Sequence, residues 1–280
     1  MMSDIYGFDA FAPKDISERV KNIGVAKAGL PWLSVLMLGV LAGAFIGLGG
    51  LYYVIVKSDP LLSFAASQLL GGLVFCLGLL LVVVAGAELF TGNNLLVMAW
   101  AERHITTKQL LKNWLLVCLG NFIGASALAC LVFISGHTEM NQGLIGETYL
   151  KIGVIKCSMP LWQAFFKGIL CNVLVCLAVW MAFAGRSVVD KAVAIVFPIS
   201  AFVAAGFEHS IANMYFIPLA MLEKYAAGQG DATMQALSWA GFLHNLMPVI
   251  LGNIIGGGVL VALVYHIIYR RKAVLAPGKE

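Results

Sequence analysis

Charge is scarce in this chain. Asp, Glu, Lys and Arg supply 11% of its 280 residues, while apolar residues supply 61%. A soluble domain carries about 25% charged residues. This composition, with a mean hydropathy of +0.91, excludes that class and points to an integral membrane protein. Other absences narrow the chemistry. The six cysteines contain no C-x-x-C pair, and all but Cys157 fall inside apolar runs. No disulfide framework is implied, and buried thiols act as small apolar groups. No two of the five histidines stand three or four apart, which removes a helical metal or haem pair. Neither a metal, a cofactor nor an enzymatic activity is therefore expected. The first 27 residues lack the unbroken apolar stretch of a cleaved signal and are expected to remain as a tail.

What the chain does have is apolar length. Runs near 29–56, 65–99, 113–135, 161–184, 192–222 and 241–269 are each long enough to cross a hydrocarbon core about 30 Å thick. The expected fold is an all-α integral membrane protein with six transmembrane helices. Three parts are expected: residues 1–27 as a cytoplasmic N-terminal segment, 28–270 as the channel domain and 271–280 as a cytoplasmic tail. Ile16, Val20 and Ile23 fall at helical spacing behind Pro13, predicting a short amphipathic helix at the membrane surface. With the N-terminus inside, thirteen Lys and Arg lie in loops on the cytoplasmic side and only Lys57, Lys151, Lys156 and Lys224 on the other. Both termini should then face the cytoplasm. The net charge of +4 reads as this topology signal and does not call for nucleic acid. Lys167 alone among the basic residues lies within a span.

The second and fifth runs exceed a simple crossing, and they carry matched stretches 120 positions apart. Ala85-Gly86-Ala87-Glu88 leads through Thr91 to Gly92-Asn93, and Ala205-Gly206-Phe207-Glu208 leads through His209 to Ala212-Asn213. Acids and amides at membrane depth are costly and mark pathways, and paired interrupted spans point to a midplane transport site. Gly120-Asn121-Phe122-Ile123-Gly124 and Gly252-Asn253-Ile254-Ile255-Gly256 match in the third and sixth runs. Three spans per half make the second half inverted relative to the first, with broken second and fifth helices. The glycines read as close-packing positions. Glu88 and Glu208 read as structural, turned away from the path and accepting hydrogen bonds from the broken backbone, with Asn93 and Asn253 as polar support. Thr91, Asn93, Asn94 and Asn213 could satisfy exposed backbone groups or meet a permeant molecule. His209 faces Thr91 of the other half and is the group whose charge switches near neutral pH.

Leu89-Phe90-Thr91-Gly92, Gly185-Arg186-Ser187, the run Phe207 to Met214, Gly252 to Gly258, and the opening Phe8-Asp9-Ala10-Phe11-Ala12-Pro13 resemble the formate/nitrite transporter family, nearest to its formate channels. The resemblance implies a homopentamer of aquaporin-like protomers in lipid, each with its own pore and a central histidine–threonine pair, here His209 and Thr91. It implies apolar constrictions at Phe75, Leu79, Leu89 and Phe202, an anion-attracting vestibule lysine at Lys156 and a polar pore residue at Asn172. It also implies that the N-terminal segment can plug the pore or dock a cytoplasmic formate-producing enzyme. Asn93-Asn94 are more polar than the family pattern, and Lys167 matches no family role, leaving snorkelling or a subunit contact for its long stem.

The expected function is a pH-dependent channel for formate and similar small monovalent anions across an inner membrane. A nitrite or hydrosulfide channel of the same family is the alternative. A neutral-solute aquaporin-like pore is less favoured, since the chain has no Asn-Pro-Ala box.

Overall fold

A computed structural model describes residues 10–228 and 234–269. Phe8 and Asp9 of the opening motif and the tail 271–280 lie outside the described residues. Within them the chain is helical, with no strand beyond an isolated bridge between Ala10 and Gly185. Helix α1 (Pro13–Ala28) has proline at its first position and buries Ile16 and Val20, the apolar side of the amphipathic pattern. Five stretches are long and apolar enough to cross a membrane. They are α2 (Trp32–Lys57), α3 (Phe64–Leu81) with its wider π-type turns to Gly86, α5 (Thr107–Ile134), α7 (Leu161–Ala182), and α10 (Trp239–Ile254) continuing through π-type turns into α11 (Val264–Tyr269). The remaining apolar run is split into α8 (Val188–Ala204) and α9 (Ser210–Ala226). Each has 17 residues, about 26 Å at 1.5 Å per residue, too short to span alone.

The second run also breaks, but unevenly. Its first part reaches Gly86, and after an extended link a 3₁₀ turn (Gly92–Leu96) leads into the short α4 (Val97–Ala101). The spacing gave no warning of α6 (Leu144–Cys157), which buries Ile145, Tyr149 and Cys157 in a segment expected to be loop.

Glycines set how close the long helices come. A Cβ on Gly124 would lie 1.8 Å from the Val40 carbonyl oxygen, and one on Gly43 2.0 Å from that of Asn121. Across α7 and α10, Cβ atoms on Gly252 and Gly256 would lie 2.2 Å from the carbonyl oxygens of Phe165 and Ile169. No side chain fits at those crossings, so backbones touch there, as small-residue packing in membranes requires. At one end of the bundle the Phe11 N–H donates to the Ala184 carbonyl at 3.0 Å. The Arg19 and Arg186 guanidiniums each lie 4.1 Å from the Phe11 ring centroid. The Gly185-Arg186-Ser187 turn thus holds the start of the chain against the bundle.

Candidate functional site

Two breaks face each other across the bundle, at 87–91 and 205–209. At the start of each break stands a glycine in the left-handed region, Gly86 (φ 88°) and Gly206 (φ 68°). This conformation strains any residue with a Cβ. A broken helix leaves backbone groups unpaired, which apolar surroundings do not tolerate. One asparagine from a neighbouring helix repairs each break. Asn121 accepts the Phe90 N–H at 2.9 Å and donates to the carbonyls of Gly39 (2.8 Å) and Glu88 (2.9 Å). Asn253 accepts the Ser210 N–H at 3.1 Å and donates to Gly168 (2.8 Å) and Glu208 (3.1 Å). Both amides are fully buried.

The glutamates are buried as well, but their donors differ from the backbone groups expected. Glu88 pairs with Lys27 at 3.1 Å and accepts from Asn93 at 2.6 Å. Glu208 pairs with Lys156 at 2.8 Å and accepts from Asn213 at 2.7 Å and Asn245 at 3.3 Å. The asparagines have taken the backbone, which leaves the carboxylates to lysine and amide side chains. A buried acid is tolerated only in such company. Asn93 and Asn213 are each also bound to a further amide, Asn113 (2.9 Å) and Asn245 (2.6 Å). Asn213, expected on the substrate path, is sealed into this cluster although it borders a cavity. Lys27, Asn113 and Asn245 escaped the sequence reading. Their signal was present: Lys27 and Lys156 each precede a proline (Pro31, Pro160) by four, and Asn113 and Asn245 each precede the repairing asparagine by eight.

Between the clusters lies the centre. The His209 Nε2 is 3.0 Å from the Thr91 Oγ1. His209 also caps α9, its Nδ1 accepting the Ala212 N–H at 3.1 Å. A ring nitrogen that accepts carries no hydrogen, so neutral His209 holds its proton on Nε2 and donates to Thr91. The spatial counterpart of His209 in the first break is Leu89 and not Thr91, since Glu88 and Glu208 precede them directly. The Phe202 ring stacks near His209 at 5.8 Å and meets Phe75 edge-on at 5.8 Å.

Cavities open on either side. One, of about 330 Å³, is bordered by α1 and lined by Lys27, Leu79, Glu88 and Leu89 among others. The other, of about 250 Å³, is bordered by α6 and lined by Phe75, Lys156, Lys167, Phe202, Glu208 and His209 among others. Between them is a gap of about 10 Å³ walled by Phe75, Leu79, Leu89, Phe202 and the His209 ring, with Ile46, Val175 and Ile199. A water needs roughly 10–15 Å³ and several polar partners, so this gap is a dry constriction. Asn172 borders none of these three spaces. Its amide instead donates to the Thr91 carbonyl (3.2 Å), Asn94 Oδ1 (2.8 Å) and the Asn253 carbonyl (2.7 Å). That places it behind the pore wall, where it ties both breaks together, rather than on the wall. Asn94 lies in the same network, donating to the Phe90 carbonyl at 3.2 Å. No cluster of metal-ligating side chains occurs among the described residues.

A helical membrane protein whose two cavities converge on a dry, histidine-edged constriction is built as a permeation protein. Comparison with known proteins agrees. Residues 14–267 match the formate/nitrite transporter family. The formate channel FocA of Escherichia coli (strain K12) is 40% identical over 275 residues, covering 95% of this chain and 96% of its own. The uncharacterized transporter YrhG of Bacillus subtilis (strain 168) is 41% identical over 263 residues, covering 93% and 94%. A solved pentameric formate channel with formate bound superposes with a TM-score of 0.79 at 38% identity, covering 85% of this chain and 97% of that one. The chain belongs to the formate/nitrite transporter family. It is a transport protein, not an enzyme.

Proposed function

We propose that this protein is a channel for formate and similar small monovalent anions, with passage assisted by His209. It works as a homopentamer in the inner membrane, each protomer crossing six times as two inverted three-helix repeats, with both termini cytoplasmic. Residues 28–270 form the channel, and the segment 1–27 offers a surface for a cytoplasmic formate-producing enzyme. The observation that carries this reading is the pair of lysine-bearing cavities meeting at a gap whose one titratable edge is His209. The formate-channel relatives and the bond-for-bond correspondence of the two breaks support the substrate class and the repeat.

The chemistry follows from the cost of dehydration. A carboxylate cannot cross an apolar gap without losing its water, and a buried unpaired charge is expensive. At the gap the Nε2–H of His209 is the donor that replaces water on the anion, and the Thr91 hydroxyl behind it, 3.0 Å away, holds that nitrogen until the anion arrives. A second proton on the ring must enter at Nδ1 and displaces the Ala212 cap, a cost of about 1 kcal/mol. An anion beside the ring offsets that cost by direct attraction. The doubly protonated ring can then hand its Nε2 proton to the carboxylate, so that neutral acid crosses the dry gap; the cap re-forms once Nδ1 has lost its proton and Nε2 has regained one.

The test is formate flux into proteoliposomes across a range of pH. His209→Phe is expected to keep the pentamer while removing the pH dependence and most of the flux. A variant with the pH response of the parent would sink the histidine mechanism. Nitrite and hydrosulfide as competitors in the same assay check the substrate, with weak formate flux reversing the choice.

A further inference from the structure

The two cavities carry unequal charge. Lys27 and Glu88 line the α1-side cavity, whereas Lys156, Lys167 and Glu208 line the α6-side one. Lys27 and Lys156 are each committed to a buried glutamate. Lys167 is not: among the described residues no carboxylate lies within ion-pair distance of its Nζ, and the side chain is half-buried. Its charge is therefore the uncompensated one.

The fold does not ask for a lysine at this position. The Lys167 carbonyl accepts the Glu208 N–H at 3.3 Å, and in the other break the Leu38 carbonyl accepts the Glu88 N–H at 3.2 Å. Leu38 likewise lines its cavity. The backbone task is thus met by leucine, and the lysine adds a cationic side chain to the lining of a space of about 250 Å³. A cation within an apolar helix is costly and marks a function by default.

We infer that Lys167 is the anion-collecting group of the α6-side cavity, a subsite for a small monovalent carboxylate or an anion of like size, while Lys156 serves as counter-ion to Glu208. This rests on the anion-channel reading above and adds a sidedness to it. Uptake from the α6 side saturates at lower concentration than uptake from the α1 side.

The experiment is formate influx into right-side-out and inside-out membrane vesicles holding the full-length protein, read as initial rate against concentration. In the proposed topology the α6 side faces out. Lys167→Leu, which reproduces the other half's residue, is expected to raise the half-saturating concentration about threefold in right-side-out vesicles, one charge's share of the focusing a charged cleft provides. It should leave inside-out vesicles unchanged, and Lys167→Arg should keep the parent values. Lys167→Gln serves as the second neutral variant should the leucine protein fail to accumulate. Unchanged half-saturation on the α6 side, or an equal rise on both sides, overturns the subsite. A rise confined to inside-out vesicles supports it and reverses the topology. A parent protein that carries nitrite but not formate defeats the substrate assignment alone, and the same comparison run with nitrite then tests Lys167. A parent that carries neither anion overturns both readings.

Discussion

Around Glu88 and around Glu208 the chain builds the same polar cluster twice, yet the two clusters present unlike residues to the space between them. Each has a left-handed glycine, a lysine on the acid, an amide five residues on and an asparagine repairing the broken backbone. Directly after the acid, however, the first break has Leu89 and the second has His209. The repeated parts solve a problem both halves share, an interrupted helix in a medium without water. The unrepeated parts meet a demand that arises once, at the centre, where a single polar edge suffices and a second would wet the gap.

The shared scaffold should fail equally in either half. Asn121→Ala strands the Phe90 N–H and the carbonyls of Gly39 and Glu88, and Asn253→Ala strands their counterparts. Leaving several buried backbone groups unpaired costs about 2–4 kcal/mol, moderated by the modest worth of single hydrogen bonds in membranes. Thermal unfolding in detergent should show similar drops for both variants. A large loss for one and none for the other would break the equivalence of the two breaks.

The ion pairs should fail unequally. With Lys27 removed, Glu88 keeps only the Asn93 amide, whereas Glu208 without Lys156 keeps both Asn213 and Asn245. An acid left buried without its counter-ion is destabilising. Lys27→Met is expected to lower stability by about 2 kcal/mol and Lys156→Met by about half as much. Adding Glu88→Gln should recover most of the Lys27→Met loss, because the charge that needed the lysine is gone. Equal losses, or no recovery, would mean that the spare amide of the second cluster does not matter.

The scaffold was partly legible in the sequence because it is chemically improbable. Glu88, Asn93, Glu208 and Asn213 are conspicuous in apolar runs, and their spacing repeats. Lys27 hid because lysines near membrane helix ends are ordinary, and the tie of Lys156 to Glu208 hid for the same reason. Helix α6 hid because its apolar residues are too few and too short in span to mark a crossing, while tertiary burial of Tyr149 against Tyr215 holds it. The sequence set Thr91 facing His209, and the two side chains do meet, at 3.0 Å, while the 120-residue offset makes Leu89 the repeat counterpart of His209. Asn172 shows a similar limit: its residue type suits a pore, and only the three oxygens around its amide reveal a brace.

The smallest and sharpest perturbation makes the centre symmetric. Leu89→His places a second imidazole opposite the first, in a gap of about 10 Å³. Leucine and histidine are close in volume, so the steric change is slight. The new ring gains a cap acceptor only if its Nδ1 can serve the Gly92 N–H, as that of His209 serves Ala212. With that bond made, the stability cost should stay near 1 kcal/mol, a typical penalty for a partly satisfied buried polar group. The functional change should be larger than the structural one. Two polar edges face a gap that had one, so water enters, proton leak accompanies flux, and the pH profile acquires a second inflection. Formate flux measured together with internal pH in proteoliposomes reads both. A Leu89→His channel with the parent's pH profile and no leak would mean that the dryness of the gap rests on Phe75, Leu79 and Phe202, and that the leucine-for-histidine difference between the breaks carries no function.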